Sequence, residues 1–374
     1  MSADDHRWMR RAVRLATLSL GRTWPNPGVG CVLVRGGQLL GEGRHAVYGQ
    51  SHAEVNALNQ CRALGYDPRG ATAYVTLAPC TRQGRQPPCT QALISAGLSR
   101  VVAAMSDPNQ DDPAIHLAEA GIAYEEGCGR VAAMQLHGGF LSRVGHGRPR
   151  FTGKWAMTLD GQLATHTGDS GWISSDEALA LSRRRRRAFD AIMIGAGTAI
   201  ADDPRLLSAT VGERTPVRVV ISATATLSSR SVLVATRPAA TVLVIHDAQA
   251  SAQNCAQLRA AGVELISVAN AHDPHDVATA LGSYGLNEVL VEGGAQIHGA
   301  FLRAGLYDRL EVYLGAQTVG GGMSVAAGCG VAMMSAAATW EHEVAPVVLG
   351  TTVFLRLRRP PVLGVGEEPV VVED

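Results

Sequence analysis

The 374-residue chain lacks several features that would assign it to a class at once. It has no apolar run of about 18 residues, so we expect no membrane-spanning helix. Basic and acidic residues balance at 33 each, which argues against nucleic-acid partners because their binding surfaces are usually basic. The N-terminal residues lack the basic-then-apolar order of a signal peptide. The seven cysteines are odd in number and irregularly spaced, unlike a secreted disulfide framework. We therefore expect a cytoplasmic protein without nucleic-acid or membrane partners.

Aromatic residues are also scarce, at 5% of the chain. Because hydrophobic residues still make up 46%, a packed core is available, built mainly from Ala, Val, Leu and Ile. The length predicts two domains at roughly 150 residues each. The sequence contains no G-x-G-x-x-G fingerprint, which argues against a Rossmann dinucleotide domain.

The sequence does contain a set of metal-ligand residues, His52-Ala53-Glu54 followed by Pro79-Cys80 and Pro88-Cys89. One His and two Cys leave the fourth position of a tetrahedral zinc open for water, as in catalytic sites. This order is the signature of zinc nucleobase deaminases, in which the Glu moves protons without binding the metal. That signature has two residues between the cysteines, whereas eight lie between Cys80 and Cys89. The alternative is a set of buried core thiols and a core histidine near a helix start.

Helix and strand patterns alternate along the first half, which predicts a sheet with helices packed against it. Two of the metal ligands would then stand at helix starts, where the helix dipole favours a thiolate. Gly36-Gly37 predicts a hairpin turn, and residues 145–149 predict a linker. We predict helices over 6–20, from His52, 89–94, 115–121 and 130–143, and strands over 29–34, from Leu39, 73–77 and 100–105.

The second half repeats the alternating pattern, so we predict a second α/β domain up to about residue 360. The tail beyond it, rich in Pro, Gly, Glu and Val, is predicted to be disordered. A helix capped by Ser174 or Ser175 should cover 177–187. Other helices are predicted near 250–261 and 275–283, and strands over 150–156, 191–194, 217–221, 241–245, 264–268 and 288–291.

Two stretches of the second half have residues that could bind an anion. The strand Val289–Val291 runs into Glu292-Gly293-Gly294 and a helical pattern, where backbone amides can bind a phosphate. A plain structural turn is the alternative. Arg183 to Arg187 are five consecutive arginines, most of which we expect to be solvated. One of them could bind a phosphate with two hydrogen bonds.

Taken together, these motifs resemble the RibD family of bifunctional riboflavin-biosynthesis enzymes, over nearly the whole chain. The deaminase half is matched by Asn26-Pro27-x-Val29-Gly30, Gly43-x-His45, His52-Ala53-Glu54, Pro79-Cys80, Gly84-Arg85, Pro87-Pro88-Cys89 and Asp107-Pro108-Asn109. The reductase half is matched by Lys154, Leu159-Asp160-Gly161, Thr167 to Ile173, Asp190-Ala191, Gly195-x-Gly197-Thr198, Ala201-Asp202-Asp203-Pro204 and Val291-Glu292-Gly293-Gly294. The gap of eight residues between the cysteines is also the family's spacing.

The resemblance implies an α/β protein of two domains. Residues 1–147 would form a cytidine-deaminase-like three-layer α/β/α domain, and residues 148–360 a dihydrofolate-reductase-like α/β domain, followed by a tail over 361–374. The first domain would use Zn²⁺ to deaminate 2,5-diamino-6-(5-phosphoribosylamino)pyrimidin-4(3H)-one. The second would reduce the ribosyl group of the product to ribityl with NADPH. The family also implies a homo-oligomer, either a dimer or a tetramer.

The resemblance also implies roles for single residues. His52, Cys80 and Cys89 would hold zinc, and Glu54 would be the catalytic proton carrier. Substrate contacts would come from Asn26 and His45 in the first half, and from Lys154, Ser170, Arg186, Leu206 and Glu292 in the second. NADPH contacts would come from Ala156, Trp172, Thr198, Asp202, Gly293 and Gly294.

The chain departs from the family pattern at several positions. Ala78 stands where Glu is usual, and Thr81-Arg82, Gln86 and Ser174 also differ from the usual residues. Ala209 stands where the family has an arginine, whose place Arg205 or Arg214 could take. This departure motivates one alternative, a working deaminase fused to a degenerate reductase-like domain for ligand binding or assembly. A non-catalytic interaction protein with a structural zinc is another, although it would have no use for Glu54.

Overall fold

This computed structural model describes residues 1–171, 173–208 and 215–360. The chain folds into two compact units, one after the other in sequence. The first unit is Met1–Gly147, and the second begins at Arg148. The predictions for Trp172, Ala209, Arg214 and the tail 361–374 lie outside the described residues. None of the described helices combines the length and the apolar character needed to cross a membrane.

The first unit is built on a five-stranded sheet in the order β2-β1-β3-β4-β5. Strand β1 is antiparallel to β2 and β3, whereas β3, β4 and β5 are parallel. The strands are β1 Gly30–Arg35, β2 Gln38–Arg44, β3 Thr72–Val75, β4 Arg100–Ala103 and β5 Ala123–Glu126. The helices are α1 Ala3–Thr17, α2 Ala53–Ala63, α3 Cys89–Ser95, α4 Ala114–Glu119 and α5 Arg130–His146.

Helices cover both faces of this sheet, because alternate strand residues are apolar on each side. Apolar residues of α1 and α5, among them Met9 and Phe140, pack with Val32 and Val102. Those of α2, α3 and α4, among them Leu58, pack on the opposite face with Leu33. The result is the three-layer α/β/α arrangement that the family resemblance implied.

Most first-half elements lie where the patterns place them, with two differences. Helix α5 runs through His146 and ends at Gly147, whose φ of 68° is left-handed, so the linker predicted over 145–149 is wrong for its first two residues. Strand β5 (Ala-Tyr-Glu-Glu) was not predicted, because it is short and has no apolar run. The hairpin turn is confirmed, since Gly36 and Gly37 both have positive φ between β1 and β2.

Gly43 allows α2 to pack directly on β2. A Cβ atom at this position would lie 2.4 Å from both the Ala53 carbonyl oxygen and the Ala57 nitrogen. Because both are backbone atoms, the whole helix must move to admit a methyl group. We expect Gly43→Ala to lower the free energy of unfolding by about 3 kcal/mol, at the upper end of the usual overpacking cost.

Urea unfolding of the full chain measures this effect. The matched control is Gly145→Ala within α5, where a Cβ would meet nothing within 4 Å. Removing a helical glycine there should raise stability by roughly 0.5–1 kcal/mol. Equal midpoints for the two variants would contradict the tight α2–β2 packing.

The second unit contains a ten-stranded sheet in the order β11-β10-β9-β8-β12-β6-β13-β17-β15, with β16 also paired to β17. The seven strands from β11 to β13 are parallel, and β17 is antiparallel to β13, β15 and β16. A separate two-stranded sheet pairs β7 with β14. The strands are β6 Arg150–Met157, β7 Gln162–Thr165, β8 Ala191–Gly195, β9 Val217–Ile221, β10 Val242–Asp247, β11 Glu264–Val268, β12 Glu288–Val291, β13 Tyr307–Gly315, β14 Gly322–Ser324, β15 Glu341–His342, β16 Val347–Leu349 and β17 Thr352–Arg358.

The helices of this unit include all those that the sequence predicted, and two, Ala196–Asp202 and Val232–Ala235, that it did not. They are α6 Asp176–Arg185, α7 Ala196–Asp202, α8 Val232–Ala235, α9 Ala252–Ala260, α10 Pro274–Ser283 and α11 Ala295–Arg303, with short 3-10 helices at Arg186–Ala188 and Met334–Ala336. Ser175 is the cap of α6, since its side chain accepts a hydrogen bond from the Ala178 amide. The strands beyond residue 300 were not predicted. They mix charged and apolar residues, as in β13 where Arg309 and Glu311 are both paired with other side chains.

Candidate functional site

The first cluster of functional side chains lies where α2 and α3 begin. His52 is the N-cap of α2, Cys89 is the first residue of α3, and Cys80 stands in the loop after β3. The His52 Nδ1 atom lies 3.3 Å from Cys89 Sγ and 3.6 Å from Cys80 Sγ. All three ligand atoms lie within 4.8 Å of one another.

These distances fit a zinc ion. With zinc–nitrogen and zinc–sulfur bonds of about 2.1 and 2.3 Å, tetrahedral geometry separates the nitrogen from each sulfur by roughly 3.6 Å. Two thiols and one imidazole are also a donor set that zinc prefers. With three protein ligands, one position of the tetrahedron is left for water, as in a catalytic site.

The electrostatics of the cluster favour a thiolate. A hydrogen bond from the Cys89 thiol, helped by His52, lowers the pKa of Cys80 to about 4. The Cys89 backbone amide also donates to Cys80 Sγ, at 3.2 Å. Glu54 is 3% exposed on the first turn of α2. Burial, together with the negative charge on Cys80, raises the pKa of its carboxyl to about 7.

A cavity of about 250 Å³ opens onto this cluster. His52, Cys80 and Glu54 line it, together with the predicted substrate residues Asn26 and His45. The structure therefore brings together every first-half residue that the sequence predicted for the site.

His45 is buried, and burial lowers the pKa of its imidazole. Its Nδ1 atom lies 3.2 Å from the Ser51 carbonyl oxygen, so this nitrogen carries the proton and donates. Within the described part of the chain, the buried Nε2 atom has no hydrogen-bond partner. Because buried polar atoms are normally paired, Nε2 is available as an acceptor to a bound molecule.

Three of the positions that depart from the family pattern lie around the same cavity. Ala78, Arg82 and Gln86 all line it. Arg82 binds the Asp111 carboxylate through two hydrogen bonds of 3.0 and 2.6 Å. Both side chains of this pair are largely exposed.

Other lining residues were not singled out from the sequence as site residues. They include Tyr48, Gln50, Gln110 and Phe140. Arg85 stacks its guanidinium over the Tyr48 ring, 4.8 Å from the centroid. Tyr48, Gln50 and Gln110 lie next to the motifs but have no signature of their own, whereas Phe140 reaches the cavity only through the packing of α5.

A second cluster lies in the other unit, at the carboxyl end of β12 and beside the middle of the neighbouring parallel strand β6. Glu292 directly follows β12, and Lys154 lies on β6, next to the Gly153 that pairs with Val291. Arg186 binds the Glu292 carboxylate through two hydrogen bonds of 2.8 Å each. The Lys154 Nζ atom lies 3.9 Å from the same carboxylate. Ligands of open α/β sheets bind at this edge.

The neighbouring cations keep the Glu292 carboxyl ionised. Burial alone would raise the pKa of the Glu292 carboxyl, but Lys154 and Arg186 together lower it to about 2. Two cations thus surround one carboxylate, which leaves an excess positive charge at the edge of the sheet. Lys154 also lies over the Tyr313 ring, with Nζ 5.5 Å from the centroid.

The five-arginine run is only partly solvated. Arg183, Arg184 and Arg187 are exposed, as expected. Arg185 and Arg186 instead form ion pairs with Glu311 and Glu292, which are 3% and 9% exposed. The expectation that most of the run is solvated is confirmed, and the two exceptions arise because five consecutive residues on a helix also include its buried side.

The remaining second-half positions lie on several different elements. Gly293 and Gly294 follow β12, and Gly294 is the N-cap of α11 without a side-chain cap. A Cβ on Gly294 would lie 3.3 Å from Thr198 Oγ1, so the first turn of α7 adjoins this turn. Ala156 pairs in register with Tyr313. Leu206 is buried with a φ of 50°, whereas Ser170 and Asp202 lie on exposed segments.

Comparisons with known families match both units. A family model described as the cytidine and deoxycytidylate deaminase zinc-binding region matches residues 2–105. One described as the RibD C-terminal domain matches residues 149–342. The riboflavin biosynthesis protein RibD of Aquifex aeolicus (strain VF5) is 36% identical over 325 residues, covering 86% of this chain and 89% of that protein. RibD of Escherichia coli (strain K12) is 37% identical over 336 residues, covering 85% and 89%.

Solved structures agree with these sequence matches. The crystal structure of a diaminohydroxyphosphoribosylaminopyrimidine deaminase/5-amino-6-(5-phosphoribosylamino)uracil reductase from Thermotoga maritima superposes with a TM-score of 0.85 at 30% identity. It covers 96% of this chain and 99% of its own. Acinetobacter baumannii RibD superposes with a TM-score of 0.85 at 32% identity, covering 95% and 98%.

Proposed function

The chain belongs to the RibD family of bifunctional riboflavin-biosynthesis enzymes, and we propose from this premise which substrates its two units take and which residues act on them. The family, the two-domain α/β fold and the sequence of deamination followed by reduction, as predicted, are thereby confirmed. The proposed substrate of the first unit is 2,5-diamino-6-(5-phosphoribosylamino)pyrimidin-4(3H)-one. The proposed reductant of the second unit is NADPH.

The deaminase assignment rests on the His52, Cys80 and Cys89 cluster and on the buried Glu54 carboxyl, which lines one cavity with His52 and Cys80. His52, Cys80 and Cys89 would hold zinc, which would supply a water molecule of lowered pKa. Glu54 accepts a proton from water and delivers a proton to the departing ammonia. A carboxyl with a pKa near neutrality suits both transfers, because it gains and loses a proton with little free-energy cost.

The proposed pyrimidine pocket is the cavity above this cluster. Asn26 offers an amide that can both donate to and accept from the edge of a heterocyclic base. His45 offers its unpartnered Nε2 atom as an acceptor, since its other nitrogen donates to Ser51. Both contacts would orient the ring so that its amino-bearing carbon faces Glu54.

The proposed reductase site surrounds Lys154, Arg186 and Glu292, where strand β12 ends. The excess positive charge there suits a phosphorylated sugar. Ser170 and Leu206 are proposed as further substrate contacts. For the cofactor, Gly293 and Gly294 leave the first amides of α11 open to a phosphate, and Thr198 adjoins them. Ala156, Trp172 and Asp202 complete the proposed NADPH positions. The hydride chemistry belongs to the cofactor, and the residues orient the sugar against it.

A pair of arginine variants tests the second site. Arg186→Met removes the two hydrogen bonds to Glu292 and one cation beside it. We expect NADPH oxidation with deaminated substrate to slow by about 10- to 100-fold, the usual cost of a lost charge-assisted contact. Ammonia release from the same preparation should not change, because the first site is untouched. The rates are measured by absorbance and by an ammonia assay.

The control is Arg183→Met, three residues earlier in the same run and exposed. It removes the same charge without touching Glu292, so both rates should stay at the wild-type level. Equal slowing by the two variants would remove Arg186 from the proposed site.

We also propose, on the family resemblance alone, that the enzyme is a cytoplasmic homo-oligomer, either a dimer or a tetramer. Multi-angle light scattering of the purified chain gives its mass in solution directly. A mass near that of one 39.2 kDa chain would reject the oligomer.

A further inference from the structure

Helix α5 contacts two of the segments that border the deaminase cavity, through residues spaced three apart. These are His137, Phe140 and Arg143, which are successive neighbours on a helical surface. None of them belongs to a motif of the zinc site, and α5 lies on the face of the sheet opposite to α2 and α3.

The first contact is with the strand that leads to Cys80. The His137 Nε2 atom lies 3.2 Å from the Thr76 carbonyl oxygen and 3.3 Å from its hydroxyl. Thr76 is fully buried. Its hydroxyl accepts a hydrogen bond from the Gly30 amide, and its own amide donates to the Gly30 carbonyl oxygen. The base of the Cys80 loop is thus tied to both β1 and α5.

The second contact is with the loop that carries Asn26. The Arg143 Nη2 atom donates to the Pro25 carbonyl oxygen at 2.9 Å. Phe140, 5% exposed, lines the cavity between the two loops. The Arg143 guanidinium carbon lies 5.8 Å from the Phe140 ring centroid. The guanidinium therefore joins the wall of the cavity to the residue directly before Asn26.

We propose that Arg143 is a positioning residue for deamination, which holds Asn26 in its place against the substrate ring through the Pro25 carbonyl. A loop residue can orient a substrate only if its backbone is fixed. The 17-residue α5 is a rigid support, and the Arg143 side chain connects it to the loop through its hydrogen bond to Pro25. This inference rests on the proposed function, which assigns Asn26 to the pyrimidine pocket.

Steady-state deamination by the full zinc-loaded chain tests the proposal. Arg143→Met keeps the apolar stem and removes the donor. We expect KM for the diaminopyrimidine substrate to rise about tenfold, with kcat changed less than about threefold and zinc content unchanged. Arg143→Lys retains a charged donor and should restore most of the loss. Arg130→Met is the control, at the exposed first residue of the same helix, and should behave as wild type.

A merely structural role gives a different pattern. It would lower the folded fraction, and hence the apparent kcat, while KM stays the same, and this result would overturn the proposal. So would a KM that rises equally in Arg143→Lys and Arg143→Met.

A double-mutant cycle with Asn26→Ala gives a second test. If Arg143 acts through Asn26, adding Arg143→Met to Asn26→Ala should raise KM no further. Independent, multiplied effects would contradict the proposal, as would an Asn26→Ala variant with wild-type KM. Neither result touches the deaminase assignment, which fails only if the wild-type chain releases no ammonia.

Discussion

Glu54→Gln is expected to slow ammonia release by about 10²- to 10⁴-fold, the range attributed to a general acid–base group. Gln has nearly the shape of Glu but cannot accept or deliver a proton. Glu54 is 3% exposed and lines the cavity together with His52 and Cys80, so the variant removes the acid–base group beside the metal ligands. Ammonia assays on the purified variant measure the loss.

Two readouts separate this effect from misfolding. Zinc content should stay at the wild-type level, since Glu54 is not a proposed ligand. NADPH oxidation with the deaminated compound supplied directly should also be unchanged, since that reaction takes place in the other unit. Wild-type ammonia release by Glu54→Gln would overturn the proposed mechanism.

Cys80→Ser is expected to remove zinc and deamination together. Serine is a poor zinc ligand compared with a thiolate, and Cys80 is the thiol whose pKa the site lowers to about 4. We expect the zinc content to fall from about one ion per chain to less than about 0.1, with ammonia release falling in proportion. Elemental analysis and the ammonia assay give the two quantities.

Cys329→Ser is the matched control, because Cys329 is a free cysteine of the second unit. Both its zinc content and its ammonia release should match wild type. A Cys80→Ser variant that keeps zinc but loses activity would show that Cys80 is not a ligand.

The zinc cluster could be predicted from the sequence because each ligand belongs to a short local motif. His52 and Cys89 stand at helix starts that the patterns located, and Cys80 follows a predicted strand. Asn26 and His45 also belong to motifs, but other parts of the cavity wall could not be predicted in this way. Phe140 and Arg143 lie about 90 residues from His52 in sequence, and only the packing of α5 on the sheet brings them to the site.

Prediction was weaker in the second unit for a related reason. Its parallel strands up to β12 are apolar runs that the sequence locates well, but β13 and β17 carry arginines whose partners are distant in sequence. The same long-range pairing decides which arginines of the run are buried. Arg185 and Arg186 meet glutamates that follow more than a hundred residues later.

The central claim is that one chain catalyses deamination and then reduction, and a split assay tests it most directly. The purified zinc-loaded protein is given the diaminopyrimidine phosphoribosyl substrate with NADPH, and ammonia and NADPH absorbance are followed separately. We predict that ammonia appears first and that NADPH loss follows it, approaching equal amounts of each. Ammonia without any NADPH loss, including with the deaminated compound supplied directly, would contradict the bifunctional account.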